Sequence, residues 1–192
     1  MKTKILLIGF AAMAIIQLAI PGQMAYENEL AYSGGTEYKF KTKPIDPTDP
    51  FRGKYIWLDF EADTIRAKKY QFSEDEKVYA LLGKDKEGFA KVTKLQTKKP
   101  EKGDYVLVDI GYNYDGIQHF DFKFNRFYME ESKAPDAEIL YSENNNNENK
   151  LPAYAVVSVR CEVAVVKDVI VGGLPIKEYV EKHQKNPSEK VD

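Results

Sequence analysis

From Ile5 to Ile20, 14 of 16 residues are apolar, broken only by Gly9 and Gln17, and no charged residue stands between Lys4 and Glu27. Such a run must lie in a bilayer, be removed as a leader, or be buried inside protein. Sixteen residues at 1.5 Å each cover about 24 Å as a helix, short of the roughly 30 Å of membrane hydrocarbon. That length suits a signal-peptide core as well as an anchor. Signal peptidase needs small residues at the −1 and −3 positions, and Pro21-Gly22-Gln23-Met24-Ala25 offers only Gln23 paired with Ala25. Continuing through Ala25 to Tyr26 instead gives 22 uncharged residues that end in an interfacial aromatic. The favoured expectation is an uncleaved anchor over residues 1–26, touching the lipid bilayer through Ile5–Tyr26, with a cleaved signal and a buried helix as the alternatives. Lys2 and Lys4 precede the run while Glu27 and Glu29 follow it. Positive-inside logic then places the N-terminus in the cytoplasm and residues 27–192 outside, an extracytoplasmic domain whose lack of disulfides would be ordinary at a bacterial inner membrane.

The remainder has one domain's worth of chain. Of all 192 residues 43% are hydrophobic, 12% aromatic and 30% charged, a balance that argues against disorder. Net charge is −2, and leaving out Lys2 and Lys4 takes the outer portion to −4. With no Lys/Arg block there is no electrostatic case for nucleic acid as a partner. A single cysteine cannot close an internal disulfide. Cys161 sits among Val156, Val157, Val159, Val163, Val165 and Val166, so a packed, inert thiol is expected there. His119 and His183 are 64 positions apart and form no ligand spacing, so no metal and no cofactor is expected.

Residues 27–35 read as a stalk ending in the Ser33-Gly34-Gly35 turn. In Thr36–Thr42 the residues Tyr38, Phe40 and Thr42 alternate with Glu37, Lys39 and Lys41, the pattern of a half-buried strand. The proline-rich segment Lys43–Gly53 admits neither helix nor ladder. Further strands are expected at Lys54–Glu61, Lys77–Leu82, Gly88–Lys94, Asp104–Ile110, Phe120–Phe127, Ala153–Arg160 and Glu162–Val171, the second and third joined as a hairpin. Helical spacing predicts Ala134–Glu143 and Pro175–Gln184. Asn144–Asn149 reads as a low-complexity loop, and residues 185–192 as a disordered tail after a domain over 36–184. The expected class is mainly β (α+β): an antiparallel β-sandwich or partly open barrel with two short helices, preceded by one transmembrane helix.

The segment Gly53-Lys54-Tyr55-Ile56-Trp57-Leu58-Asp59-Phe60 recurs fifty residues later as Gly103-Asp104-Tyr105-Val106-Leu107-Val108-Asp109-Ile110. Turn-to-strand segments converge on such patterns, and two pseudo-symmetric halves are the sharper reading. Asp46-Pro47-Thr48-Asp49-Pro50-Phe51-Arg52-Gly53 leading into the first copy resembles the DPxDPxRG turn of bacterial membrane-anchored proteins named for a GDYxxLxY motif. Gly53, Tyr55 and Leu58 match that motif, whereas Lys54 replaces its Asp and Phe60 its last Tyr. In the second copy Gly103, Asp104 and Tyr105 match, with Val108 and Ile110 in place of Leu and Tyr. Arg126-Phe127-Tyr128 through Glu131, Ala134 and Glu138 is similar to a further segment of that family. Ala155–Val171 followed by Gly172-Gly173-Leu174-Pro175-Ile176 resembles its closing hairpin. The resemblance covers most of residues 5–180 and implies a topology without an activity; Lys54 speaks against catalysis at that position.

Three constellations could carry chemistry. Tyr55 and Trp57 on one strand face, with Tyr105 on the related strand and Tyr112 and Tyr114 beyond, could stack on sugar rings or line a peptide groove; they could equally be a second core face. Arg52 could form the lip of such a site or pair with Asp46 or Asp49 inside the turn. Asp59 with Glu61, Asp104 with Asp109, and Glu130 with Glu131 could supply acid/base work if brought close in a cleft, and Asp59 and Glu61, two apart on a strand near Tyr55 and Trp57, are the catalytic candidates. Thirty acidic residues make such neighbours ordinary. The expectation is therefore a non-catalytic binding or scaffolding module for an unidentified envelope protein or polymer, with an envelope-polymer hydrolase using paired carboxylates as the alternative.

Overall fold

The computed structural model describes residues 2–43, 55–67, 72–73, 76–129, 137, 140–141 and 151–185. Helix α1 spans Lys2–Gly34, 33 residues, and carries Pro21 within it. The stretch read as a stalk is thus helical to its end, because nothing between Glu27 and Ser33 breaks a helix. Gln23 Nε2 donates to Glu27 Oε1 at 2.9 Å one turn on, and the Gly35 N–H closes the last turn on the Ala31 carbonyl at 3.0 Å. Among the described residues no helix is long and apolar enough to cross a membrane, so the expected transmembrane helix is not found.

Among the described residues eleven strands follow: β1 Thr36–Lys41, β2 Tyr55–Trp57, β3 Thr64–Arg66, β4 Val78–Lys84, β5 Ala90–Gln96, β6 Tyr105–Tyr114, β7 Ile117–Phe122, β8 Arg126–Tyr128, β9 Ala153–Arg160, β10 Val163–Val171 and β11 Leu174–Pro175. Helix α2, Ile176–Lys185, closes the described chain and buries Ile176, Tyr179 and Val180 at helical spacing. Of the other expected helix, Ala137, Leu140 and Tyr141 are helical, and the rest lies outside the described residues. The strands form a four-strand sheet β1-β9-β10-β11, a two-strand ribbon β2-β8 and a five-strand sheet β3-β7-β6-β4-β5. In the last, edge strands β3 and β5 approach within 8 Å, so the sheet is a nearly closed barrel. Bulges in β5, at Thr93, and in β6 supply the extra twist. At the β6 bulge the buried Gln118 amide donates to the Gly111 and His119 carbonyls, each at 2.9 Å, which satisfies groups the ladder drops.

Several boundaries differ from expectation. The expected strand Phe120–Phe127 is two strands in different sheets. Phe120, Phe122 and Phe124 face inward two apart, then the next buried ring comes three later at Phe127, so the chain turns between them. Strand β6 runs on to Tyr114 because Asp115 and Gly116, at φ 51° and 75°, make a tight hairpin turn into β7. Cys161 is not packed in a strand: it is exposed in the β9–β10 turn at φ 54°. The two echoed segments also part company. Both turn Ile56, Leu58, Phe60 and Val106, Val108, Ile110 inward, yet β6 is a central barrel strand and β2 a three-residue ribbon strand.

One core joins the sheets. Phe40 of β1 meets Phe60, Phe122 and Phe124 with ring centroids 5.2 to 5.4 Å away, and those three rings touch one another at 4.9 to 5.7 Å. Burying a Phe contributes roughly 1.5–3 kcal/mol, so this cluster ties the four-strand sheet to the barrel. On the opposite face of the four-strand sheet the last turn of α1 docks. Ala31 is buried there, and Ser158 Oγ donates to its carbonyl at 2.7 Å.

Candidate functional site

The ribbon β2-β8 places four polar-tipped side chains on its outer face. With Ile56 and Phe127 paired and turned inward, Tyr55 stands opposite Tyr128 and Trp57 opposite Arg126. The Arg126 guanidinium lies 5.2 Å from the Tyr55 ring centroid and 5.4 Å from that of Trp57, and the Tyr55 and Tyr128 rings are 5.5 Å apart. Cation–π contact of this kind holds a planar guanidinium in place while leaving its edge donors available.

Beside the ribbon runs a groove formed by two adjoining cavities of about 400 and 310 Å³ that share Asp109, Asp121, Phe122 and Asn125. Arg126, Lys123 and Tyr128 line the first; Trp57, Asp59 and Asp63 line the second. Two of the carboxylates have cationic partners: Asp109 pairs with Lys123 at 3.0 Å, and Asp63 Oδ2 pairs with Lys43 while its Oδ1 is buried without a hydrogen bond. Asp59 accepts from the Phe60 N–H at 3.0 Å. Burial raises its carboxyl above the usual range, with the charges of Asp63 and Asp121 adding to the rise and Lys43 opposing it. Among the described residues no group of three or more His, Cys, Asp and Glu is placed to hold a metal ion.

The structure brings together some of the sequence candidates and separates others. Tyr55 and Trp57 share the ribbon face, and Asp59 lines the groove next to it. Glu61 does not join Asp59: it is exposed in the turn that follows, where its N–H donates to the Lys41 carbonyl. Tyr105 is not on an open aromatic face, because it is buried with its ring against Tyr79 at 5.7 Å. Asp104 accepts from the Tyr38 hydroxyl at 2.9 Å, and Gly103 takes φ 85°, so the second motif copy shapes the entry to β6. Tyr112 and Tyr114 are exposed towards the end of the β6–β7 hairpin, Tyr112 stacked on His119 at 4.2 Å. Arg52 and Gly53, with Lys54, Glu130 and Glu131, lie outside the described residues. Asp63, Asp121, Asn125, Arg126 and Tyr128 carry no site signal in the sequence: the β2-β8 ladder brings Arg126 and Tyr128 to Trp57 and Tyr55, and the other three line the groove from loops and from β7.

Fold and site together define a β-rich domain with a nearly closed barrel and a groove of mixed charge, carried behind an apolar N-terminal helix. The chain belongs to the GDYXXLXY protein family, whose profile matches residues 17–166, from within α1 into β10. No curated protein and no solved structure gives a match.

Proposed function

We propose that this is a single-pass membrane-anchored envelope protein whose extracytoplasmic domain binds a polymer or protein in the groove beside Trp57, without catalysis. The observation that carries this reading is the contrast between α1 and the domain behind it. Leu6, Leu7, Phe10, Ile15, Ile16, Leu18 and Ile20 are each more than half exposed and face all sides of the helix, whereas the domain buries its own rings in one core. An apolar helix whose large described side chains between Leu6 and Ile20 stand exposed has lipid as its natural surroundings. Because α1 docks on β9 and β10 through Ala31, the domain then stands close to the bilayer at a set orientation. The charge order from Lys2 and Lys4 to Glu27 and Glu29 supports an outside location.

Crosslinking in intact membranes followed by recovery of the full-length protein tests the reading. The partner recovered with the wild type is expected to be lost with Trp57→Ala, while the melting temperature stays within a few degrees. A collapse of the melting temperature would make Trp57 a core residue and end the case for a binding face. A mature N-terminus near Tyr26 by mass spectrometry would remove the anchor. The hydrolase alternative is favoured by one observation, the half-buried Asp59 held above its usual range beside Asp63 and Asp121. It requires that Asp59→Asn abolish turnover of an envelope polymer by the purified protein.

A further inference from the structure

We propose that Arg126 is the anion-recognising residue of the groove, so that the ligand carries a carboxylate or phosphate beside hydroxyl or ammonium groups that face the aspartates. This rests on the groove being the binding site. The β2-β8 ladder sets Arg126 directly across from Trp57, and the rings of Trp57 and Tyr55 hold its guanidinium at 5.4 and 5.2 Å. Among the described residues no carboxylate lies within ion-pair distance of it. The other groove cation, Lys123, has Asp109 at 3.0 Å. A planar fork of N–H donors, already ordered by stacking and open at the 400 Å³ cavity, matches an oxyanion bidentately with little further loss of freedom. Asp121, where the two cavities join, and Asp59, in the cavity away from Arg126, are acceptors that suit the donors of the ligand rather than a second anion. A purely anionic ligand would meet those carboxylates, and a neutral one would leave Arg126 unused.

Trp57 is the single tryptophan of the chain and touches Arg126, so its fluorescence reports occupancy of the site. Full-length protein in a polyoxyethylene detergent is titrated with alanylalanine, glucosamine 6-phosphate, inorganic phosphate and N-acetylglucosamine. The expected result is a saturable change with the dipeptide or the sugar phosphate, the tighter of the two identifying carboxylate or phosphate as the source. Inorganic phosphate is expected to bind more weakly and the neutral sugar not at all. Arg126→Gln is expected to weaken the anionic probes at least tenfold, and Arg126→Lys, which keeps the charge without the fork, by a smaller factor. Equal affinity of Arg126→Gln, equal binding of N-acetylglucosamine, or no saturable change with any probe overturns the assignment. If crosslinking recovers the membrane partner with Arg126→Gln but not with Trp57→Ala, the groove stands and anion recognition falls. If Trp57→Ala retains the partner, the groove itself is wrong.

Discussion

Replacing Gly35 tests whether α1 and the barrel domain move as one body. Gly35 lies where the end of α1 meets β9, and a Cβ built there would stand 2.6 Å from the Ala31 carbonyl oxygen, 2.6 Å from Ser158 Oγ and 2.8 Å from the Val159 carbonyl oxygen. Two of these are backbone, so the helix end must move away. Overpacking costs about 1–3 kcal/mol and loss of the Ser158–Ala31 hydrogen bond about 1 kcal/mol, which puts Gly35→Ala at about 2–4 kcal/mol against the docked state. Ser158→Ala alone loses the hydrogen bond but leaves the Ala31 carbonyl with the Gly35 N–H, so about 1 kcal/mol is expected. In the double variant one of the three close contacts is gone and the hydrogen bond is lost only once. The two changes are therefore expected to cost less together than separately, with a coupling of about 1 kcal/mol in a double-mutant cycle. Urea denaturation supplies the free energies. Amide exchange is expected to quicken over residues 30–37 and to stay slow in the barrel. Strict additivity, or exchange that is already fast at Ala31 in the wild type, would refute a rigid junction.

Two further outcomes follow from the pKa shifts. Asp59 is raised in the fold, chiefly by burial, so its favourable contribution is present below the ordinary carboxylate value and is lost as pH rises through the folded value. Asp59→Asn is thus expected to melt higher than the wild type at pH 7, with the gap closing below about pH 4, and a variant that melts lower at pH 7 would contradict the assignment. The Tyr38 hydroxyl is pushed up to about 12, first by burial and then by its hydrogen bond to Asp104. Its stabilisation is complete below pH 10 and fades towards 12, so urea midpoints of wild type and Tyr38→Phe are expected to differ at pH 8 and to converge above pH 10. Parallel curves would show that Tyr38 is not coupled to the fold in this way.

Legibility from sequence varied with the range of the interaction. Strands β1, β4, β5, β9 and β10 and helix α2 were readable within two or three residues, because alternation and helical spacing are properties of neighbours. The Asp115-Gly116 dipeptide is itself a turn signal, and the change from two-residue to three-residue spacing between Phe124 and Phe127 marks the break between β7 and β8. Cys161 was misplaced because valines on both sides look like one strand, although they belong to two strands joined by a turn. Half of the site was similarly exposed to view. Tyr55 and Trp57 were found from their shared face, whereas Tyr105, the same motif letter as Tyr55, is buried against Tyr79 because its strand lies in the middle of the barrel.

By itself the sequence determined what can be decided along the chain: an apolar N-terminal helix, a β-rich domain after it, the family, and a strand face bearing Tyr55 and Trp57. Only the tertiary structure decided that Asp59 belongs with Asp63 and Asp121 rather than with Glu61. It alone set Arg126, nearly seventy positions from Trp57, across the ladder from that ring. It alone showed that the segment read as a stalk is the last part of α1, held to β9 through Ser158 and Ala31. The reason is physical: periodicity records which side a residue faces, but the neighbour it faces is chosen by strand order and by packing between sheets, where residues distant in the chain compete for the same space.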